Sequence, residues 1–473
     1  MANEIPKPQR ALIFQGGGAL GAYEAGVFRA IYDKLFDPDE ALFDIVIGTS
    51  IGAINGAVLT SYVKYNKTWE GSADRLIEFW KHLASPTPII AKSSEYWWGE
   101  AGRRYYATKH FLYRGVENVF AAPKTEYDSK FLDNLNVFEG LPNVNPNIWH
   151  KYDNTRLQES LEHEGKDGQK FVKFPMFTNI EDNEPRFLTV AVDIQEGSTV
   201  TFDSYPKFDG SRETEYGTEL TDSEPPQIKN PGYAINYEDG IKMEHLIASA
   251  SVPVHYDHVK IKGSRLGTSD NPTKISSERY FWDGGILSNT PLRELLSEHK
   301  KFWKNRAESQ KQSEETDSTS EIEFFEKNVP DLEVYIVNVW TKKEQKIPQD
   351  HDSSKDRKND IVYCDKTTYD EKVARFISDY IGLTRGLMKL AKTKGATKDE
   401  LDKILKTSAE SRFRTNESRN YADLLKGRFR LNKVVRIERQ DDIYTISNKH
   451  IDFTKETICN LIEKGYEEAY FQI

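Results

Sequence analysis

Two glycine-rich turns hold the residues best suited to chemistry. In Gly48-Thr49-Ser50-Ile51-Gly52 a serine stands between glycines two residues away on either side, a G-x-S-x-G segment. A serine pushed out at a tight strand-to-helix turn needs neighbours without side chains, for its backbone angles and for close approach to adjoining elements. That placement suits a nucleophile elbow, and the plain alternative is a serine that merely caps the following helix. In Gly16-Gly17-Gly18-Ala19-Leu20-Gly21 three consecutive glycines open a helix. Their N–H groups are unencumbered and aligned with the positive end of the helix dipole, which suits a tetrahedral oxyanion as well as a phosphate. The same segment satisfies the G-x-G-x-x-G dinucleotide fingerprint. That reading also needs an acid at the end of the next strand. Here the strand ends in Gly48-Thr49-Ser50, and Asp37, Asp39 and Glu40 all precede it.

A serine nucleophile needs a base. The best acid is Asp283 in Phe281-Trp282-Asp283-Gly284-Gly285, at the end of an aromatic strand, where an ordinary Asp-Gly turn is the competing reading. In an α/β-hydrolase a histidine follows the acid. After Asp283 only His299, His351 and His450 remain, each among charged or polar neighbours. His245, His255 and His258 come earlier, around the turn at Pro253, and read as structural or pocket-lining. No ligand cluster calls for a metal, and no cofactor is expected.

The elements that must position these residues follow from periodicity. Ala11–Phe14 and Phe43–Ile47 read as buried strands, each running directly into glycine and then a helix. Strand, helix, strand, helix predicts an α/β fold with a mainly parallel central sheet. Residues from about 64 to 170 read as an inserted cap, with Trp97, Trp98, Arg103, Arg104, Tyr105, Tyr106, Phe111 and Arg114 suited to acyl chains or a wet apolar boundary. Phe187–Val192 and Thr199–Phe202 form a predicted hairpin, and Asp331–Trp340 a late strand. Glu308–Glu321 is almost devoid of apolar residues and predicts a mobile loop within about 305–325. A polar stretch, Lys346–Asp360, precedes a mostly helical tail. In it Val373, Phe376, Ile377, Tyr380, Ile381, Thr384, Leu387 and Met388 make one stripe for packing or self-association, with membrane docking the less favoured reading. Leu431–Ser447 reads as a hairpin and Asp452–Tyr470 as a last helix.

Composition sets the outer bounds. The 473 residues are 37% hydrophobic and 30% charged, with 65 basic against 75 acidic side chains and a net charge of −10. Disorder and a nucleic-acid partner are excluded as classes on those figures. Cys364 and Cys459 build no disulfide framework and match no metal spacing, and Met1–Arg10 lacks a secretory pattern. A cytoplasmic protein is expected, with peripheral contact at a membrane left open. The uncharged run Ile45–Val63 has the length of a span, but its three glycines and several hydroxyls fit the strand, elbow and close-packed helix instead.

Taken in order, Gly16–Gly21, Gly48–Gly52 and Asp283–Gly285 resemble the three signature motifs of the patatin-like phospholipases. The resemblance extends to Gln15 and Tyr23–Leu35, to Ala248–Pro253 and to Leu287–Pro291, and covers roughly residues 8–345. It implies a three-layer α/β/α patatin-like fold with a helical C-terminal extension over 346–473. It implies a catalytic dyad of Ser50 as nucleophile and Asp283 as proton acceptor, with Gly16, Gly17 and Gly18 as oxyanion hole. Gly21, Gly48, Gly52, Gly284, Gly285 and Asn289 support the motifs. The implied activity is hydrolysis of fatty-acyl esters of lipids or phospholipids; the alternative is a lipid-binding scaffold with little turnover. One departure stands out: many relatives carry Arg or Lys where this chain has Leu20.

Overall fold

A computed structural model describes residues 7–122, 152–220, 228–267, 274–310, 322, 324, 325, 327–344, 346–408, 420–426, 428–440 and 444–473. The expected mobile loop, and part of the cap, lie mostly outside the described residues. A ten-stranded sheet runs through the centre. Its strands are β1 (Gln9–Phe14), β2 (Ile45–Thr49), β3 (Arg186–Asp193), β4 (Ser198–Asp203), β5 (Glu213–Tyr216), β6 (Tyr233–Asn236), β7 (Val259–Arg265), β8 (Ile275–Asp283), β9 (Leu332–Asn338) and β10 (Leu431–Glu438). The order β10-β9-β1-β2-β3 is wholly parallel. Beyond it β8, β7, β6 and β5 continue antiparallel, and β4 closes the predicted hairpin on β3.

The parallel strands are buried on both faces, as an all-parallel set must be when helices cover it twice. Leu12 and Phe14 point into one core with Phe28, Ile54 and Trp80, while Ala11 and Ile13 point into the other with Leu292 and Leu295. The first layer is α1 (Gly21–Leu35), α2 (Ile51–Asn66) and α3 (Ser72–Leu83), followed, in the stretch expected to form a cap, by α4 (Ile89–Arg114). Further on come α5 (Met243–Ala250), α6 (Leu292–Gln310), α7 (His351–Tyr363), α8 (Thr368–Thr393), α9 (Lys398–Leu405), α10 (Tyr421–Leu425) and α11 (Lys455–Gln472).

The stretch after residue 345 departs from its sequence reading in three places. Leu431–Glu438 forms no hairpin; it is β10, paired in parallel with β9 along the sheet edge. The polar stretch Lys346–Asp360 contains most of α7, opened by a capping box between Asp350 and Ser353. Its Asp356 and Asp360 are buried against Lys449, whose ammonium lies 2.7 Å from Asp360 Oδ1. The stripe on α8 splits. Ile381, with Ile377 and Met388, packs against Leu405 of α9 and Leu425 of α10, whereas Phe376, Tyr380 and Leu387 are exposed. α11 lies close along α1, and glycine makes that possible: a Cβ on Gly26 would fall 1.9 Å from the Ile462 carbonyl oxygen, and one on Gly465 2.1 Å from that of Tyr23.

On α4 the two central arginines face inward. Arg103 donates to Thr454 and Thr457, and Arg104 pairs with Asp452 at 3.2 Å, so both are committed to the C-terminal segment rather than to a surface. Trp97 and Trp98 remain exposed beside Gly99, where α4 breaks with φ 64°. Among the described residues no helix is long and apolar enough to cross a membrane.

Candidate active site

Strand register brings the two candidate catalytic residues together. Along one edge of β3, β4 pairs with Leu188 to Asp193. The opposite edge is shared. β2 runs parallel along it and ends with Thr49 opposite Val190, while β8 arrives from the other direction and ends with Asp283 opposite Ala191. Two strands therefore meet end to end on consecutive residues of a third, and the turns leaving them, at Ser50 and Gly284, occupy the same point. The chain is so close there that a Cβ on Gly284 would lie 2.2 Å from the Val190 carbonyl oxygen. Gly48 is equally constrained, since its Cβ would strike the Gly52 backbone at 2.3 Å.

Ser50 takes φ 56° and ψ −128°, a region L-residues adopt only under constraint. The constraint comes from both sides of the residue. Its N–H donates to Ser249 Oγ at 3.0 Å, and that hydroxyl donates onward to the Val190 carbonyl at 2.6 Å. Its carbonyl accepts from Ala53 and Ile54 at the start of α2. Thr49 Oγ1 is tied to the Ser288 carbonyl at 2.9 Å, joining the elbow to the loop after Asp283.

Asp283 is held by its own backbone N–H, which donates to the Ser251 carbonyl, and by Gly285 N–H, which donates to Oδ1 at 2.7 Å. No cation pairs with it among the described residues. Burial pushes this carboxyl up from 3.8 to about 7, against the opposing pull of the Ser50 hydroxyl and the Gly285 N–H. Oδ2 has no hydrogen bond of full geometry, so the serine hydroxyl sits near enough to influence the carboxylate without a settled bond to it. An acid with a value near neutrality can both accept and return a proton at ordinary pH. Ser50 is 9% exposed and Asp283 4%.

The glycine triplet lies against this pair. A Cβ on Gly16 would come 3.0 Å from Ser50 Cβ and 2.5 Å from Asn289 Oδ1. Gly16 N–H already donates to the Asn289 carbonyl, at 3.4 Å. The N–H groups of Gly17 and Gly18 have no acceptor among the described residues. Gly18 has φ 55°, and a Cβ there would lie 2.3 Å from the His450 carbonyl oxygen. Beneath the triplet is a buried polar web. Glu24 accepts from Gln15 N–H at 2.7 Å and from Asn55 Nδ2 at 2.8 Å, and burial raises its carboxyl well above the usual range. Asn55 Oδ1 accepts from Trp80 Nε1. Leu20 is fully buried in the core, so a cation at this position would have to leave water.

The histidines stand apart. Among the described residues none hydrogen-bonds Ser50 or Asp283. His299, despite its charged neighbours in sequence, is fully buried, bonds the Pro330 carbonyl at 3.0 Å and is pushed down to about 3 by burial. His245 accepts from Lys242 N–H at the start of α5. Gln15, Glu24, Asn55, Ser249 and Trp340 surround the site and have no spacing signal of their own. Gln15, Glu24 and Ser249 lie within segments the motif resemblance touches. A hollow of about 660 Å³ beside α3, lined by His82, His163 and Phe171, contains neither member of the pair.

The family model for the patatin-like phospholipase matches residues 12–296. No curated protein matches the sequence. Among solved structures, the crystal structure of VipD from Legionella pneumophila aligns with 98% of this chain at 11% identity and a TM-score of 0.28, and this chain spans 66% of that one. Matched over more than half its length, with the strand ends, elbow and glycine turns lying inside the matched region, the chain belongs to the patatin-like phospholipase family.

Proposed function

We infer that the protein is a serine acyl hydrolase acting on fatty-acyl esters of lipids through a Ser50–Asp283 dyad. The observation that carries this reading is the buried carboxylate, without a counter-cation among the described residues, held where two strands end head to head beside a strained serine. Asp283 accepts the Ser50 hydroxyl proton as Oγ bonds to the acyl carbonyl carbon. The carbonyl π electrons move to oxygen, and the N–H groups of Gly17 and Gly18 stabilise that oxyanion; Gly16 N–H, spent on Asn289, supports the loop instead. Collapse of the intermediate breaks the ester C–O bond, and the leaving alkoxide takes the proton from Asp283. Water then gives a proton to the same carboxylate, attacks the acyl-serine, and releases the fatty acid as Ser50 recovers its hydrogen.

The test pairs fluorophosphonate labelling with turnover of short- and long-chain esters in wild type, Ser50→Ala and Asp283→Ala. Labelling and turnover lost in both variants support the dyad. A wild-type protein that binds lipid but neither labels nor turns over ester supports the scaffold reading. Full activity in Ser50→Ala sinks the hydrolase assignment.

A further inference from the structure

Three consecutive glycines are the least self-determined backbone a protein can use, because each residue is free to occupy most of φ/ψ space. An oxyanion hole needs the opposite: donors fixed before the charge forms, so that no reorganisation is left for the reaction to drive. Something outside the triplet must therefore set the direction of its N–H groups. The Gly16 carbonyl is the informative atom. It accepts from Trp340 Nε1 at 2.6 Å and from Asn289 Nδ2 at 3.2 Å. In a planar trans peptide the carbonyl of one residue and the N–H of the next point in opposite directions. Clamping the Gly16 oxygen toward Trp340 and Asn289 turns the Gly17 N–H away from them, toward the side left without an acceptor.

We propose that Trp340, together with Asn289, is a positioning residue that orients the Gly17 N–H through the Gly16–Gly17 peptide. This rests on the hydrolase reading above. Trp340 lies beyond the residues the family model matches, and its own placement is fixed from the loop it serves. Gln15 Oε1 accepts from the N–H groups of Val339 and Trp340, at 2.8 and 3.3 Å, while Gln15 Nε2 donates to Thr290 Oγ1 at 2.9 Å. Asn289 is steadied in the same way, since its Nδ2 also donates to the Tyr363 carbonyl at 2.7 Å. The indole ring is buried beside Tyr363, with ring centres 5.2 Å apart. The stretch that carries Tyr363 and, on the far side of the triplet, the His450 carbonyl against Gly18 thus belongs to the frame of the loop.

The test compares wild type, Trp340→Phe, Asn289→Leu and the double variant, with melting temperature read alongside kinetics. Trp340→Phe keeps an aromatic ring and removes the donor. It is expected to lower kcat about tenfold, and the double variant about 10²–10³-fold, the range seen when an oxyanion donor is lost. KM should stay within about twofold, and fluorophosphonate labelling should slow in proportion to kcat. The pH midpoint of activity should not move, because the clamp acts on the oxyanion and not on Asp283. Unchanged kcat in a folded double variant, a loss expressed wholly in KM, or a displaced pH midpoint overturns the clamp and leaves the hydrolase standing. Should Trp340→Phe fail to fold, Asn289→Leu reads the same carbonyl alone. A wild type inert toward every ester removes the hydrolase reading and the clamp together.

Discussion

Asp193 and Asp283 occupy adjacent strands, with Asp193 opposite Phe281 and Asp283 opposite Ala191, and both are buried. Their surroundings could hardly differ more. Asp193 receives Arg279 through two nitrogens at 2.8 and 2.9 Å, the Tyr216 hydroxyl at 2.6 Å, and the N–H groups of Gln195 and Glu196. Asp283 receives one N–H and a nearby serine hydroxyl. A buried charge is tolerated when it is paired and fully hydrogen-bonded, and otherwise shifts toward its neutral form. The first carboxylate is thereby spent on structure. The second keeps a proton affinity near neutrality, available for chemistry, at some expense in stability.

Exchanging charge for an amide at each position should separate these roles. Asp283→Asn is expected to lower kcat by about 10³–10⁴-fold, as loss of one member of a catalytic unit does, while denaturant midpoints at pH 8 stay level or rise. Asp193→Asn removes the closer of two counter-charges from the buried Arg279, leaving Glu196 at 3.4 Å, and should cost up to about 3 kcal/mol of stability, with kcat of the folded fraction nearly unchanged. Urea melts and ester turnover on the same samples decide both. Equal destabilisation by the two substitutions would erase the contrast.

Titration sharpens the same comparison. Asp283 works as a base only when ionised, so kcat/KM should climb about tenfold per pH unit below 7 and level off above it. The sign for stability is the reverse. Its folded value lies above its unfolded one, so between about pH 4 and 7 the folded state binds the extra proton. Stability is therefore fully present at the acid end and lost, by a few kcal/mol at most, as pH rises through 7. In Asp283→Asn that slope should become shallower by the share of Asp283, while the share of Glu24, whose carboxyl burial also raises, remains. A slope identical to that of wild type would assign the proton to another group.

The turn at Ser50 was legible locally, because an elbow with φ 56° admits few residues but glycine around it; its pairing with Asp283 was expected only through the resemblance of the three motifs taken together, since an Asp-Gly sequence by itself reads as an ordinary turn. The alternation of apolar runs with glycine also foretold the buried parallel strands. Parts decided by distant partners were not legible. Leu431–Glu438 pairs with a strand about a hundred residues upstream, and local patterning suggests a hairpin instead. Asp356 and Asp360 look like surface charge until Lys449 reaches them from 93 and 89 positions away. Arg103 and Arg104 look like docking cations until Asp452 and Thr454 fold onto them. The clamp on Gly16 is of this kind, since Trp340 acts across 324 positions.

The smallest effect tests the strain at the elbow itself. A non-glycine residue in such a backbone region costs of order 1–3 kcal/mol. Ser50→Gly removes that cost, while the greater freedom of glycine in the unfolded chain returns about 0.4–1 kcal/mol. The net expectation is a gain of about 1 kcal/mol in stability, read from urea midpoints, together with activity at background. Ser249→Ala provides the opposite sign. It deletes the acceptor of Ser50 N–H and the donor to the Val190 carbonyl, leaving two buried backbone groups unsatisfied for a loss of about 1–3 kcal/mol. If Ser50→Gly destabilises as Ser249→Ala does, the serine is not strained, and the case for a turn shaped by chemistry rather than by folding is lost with it.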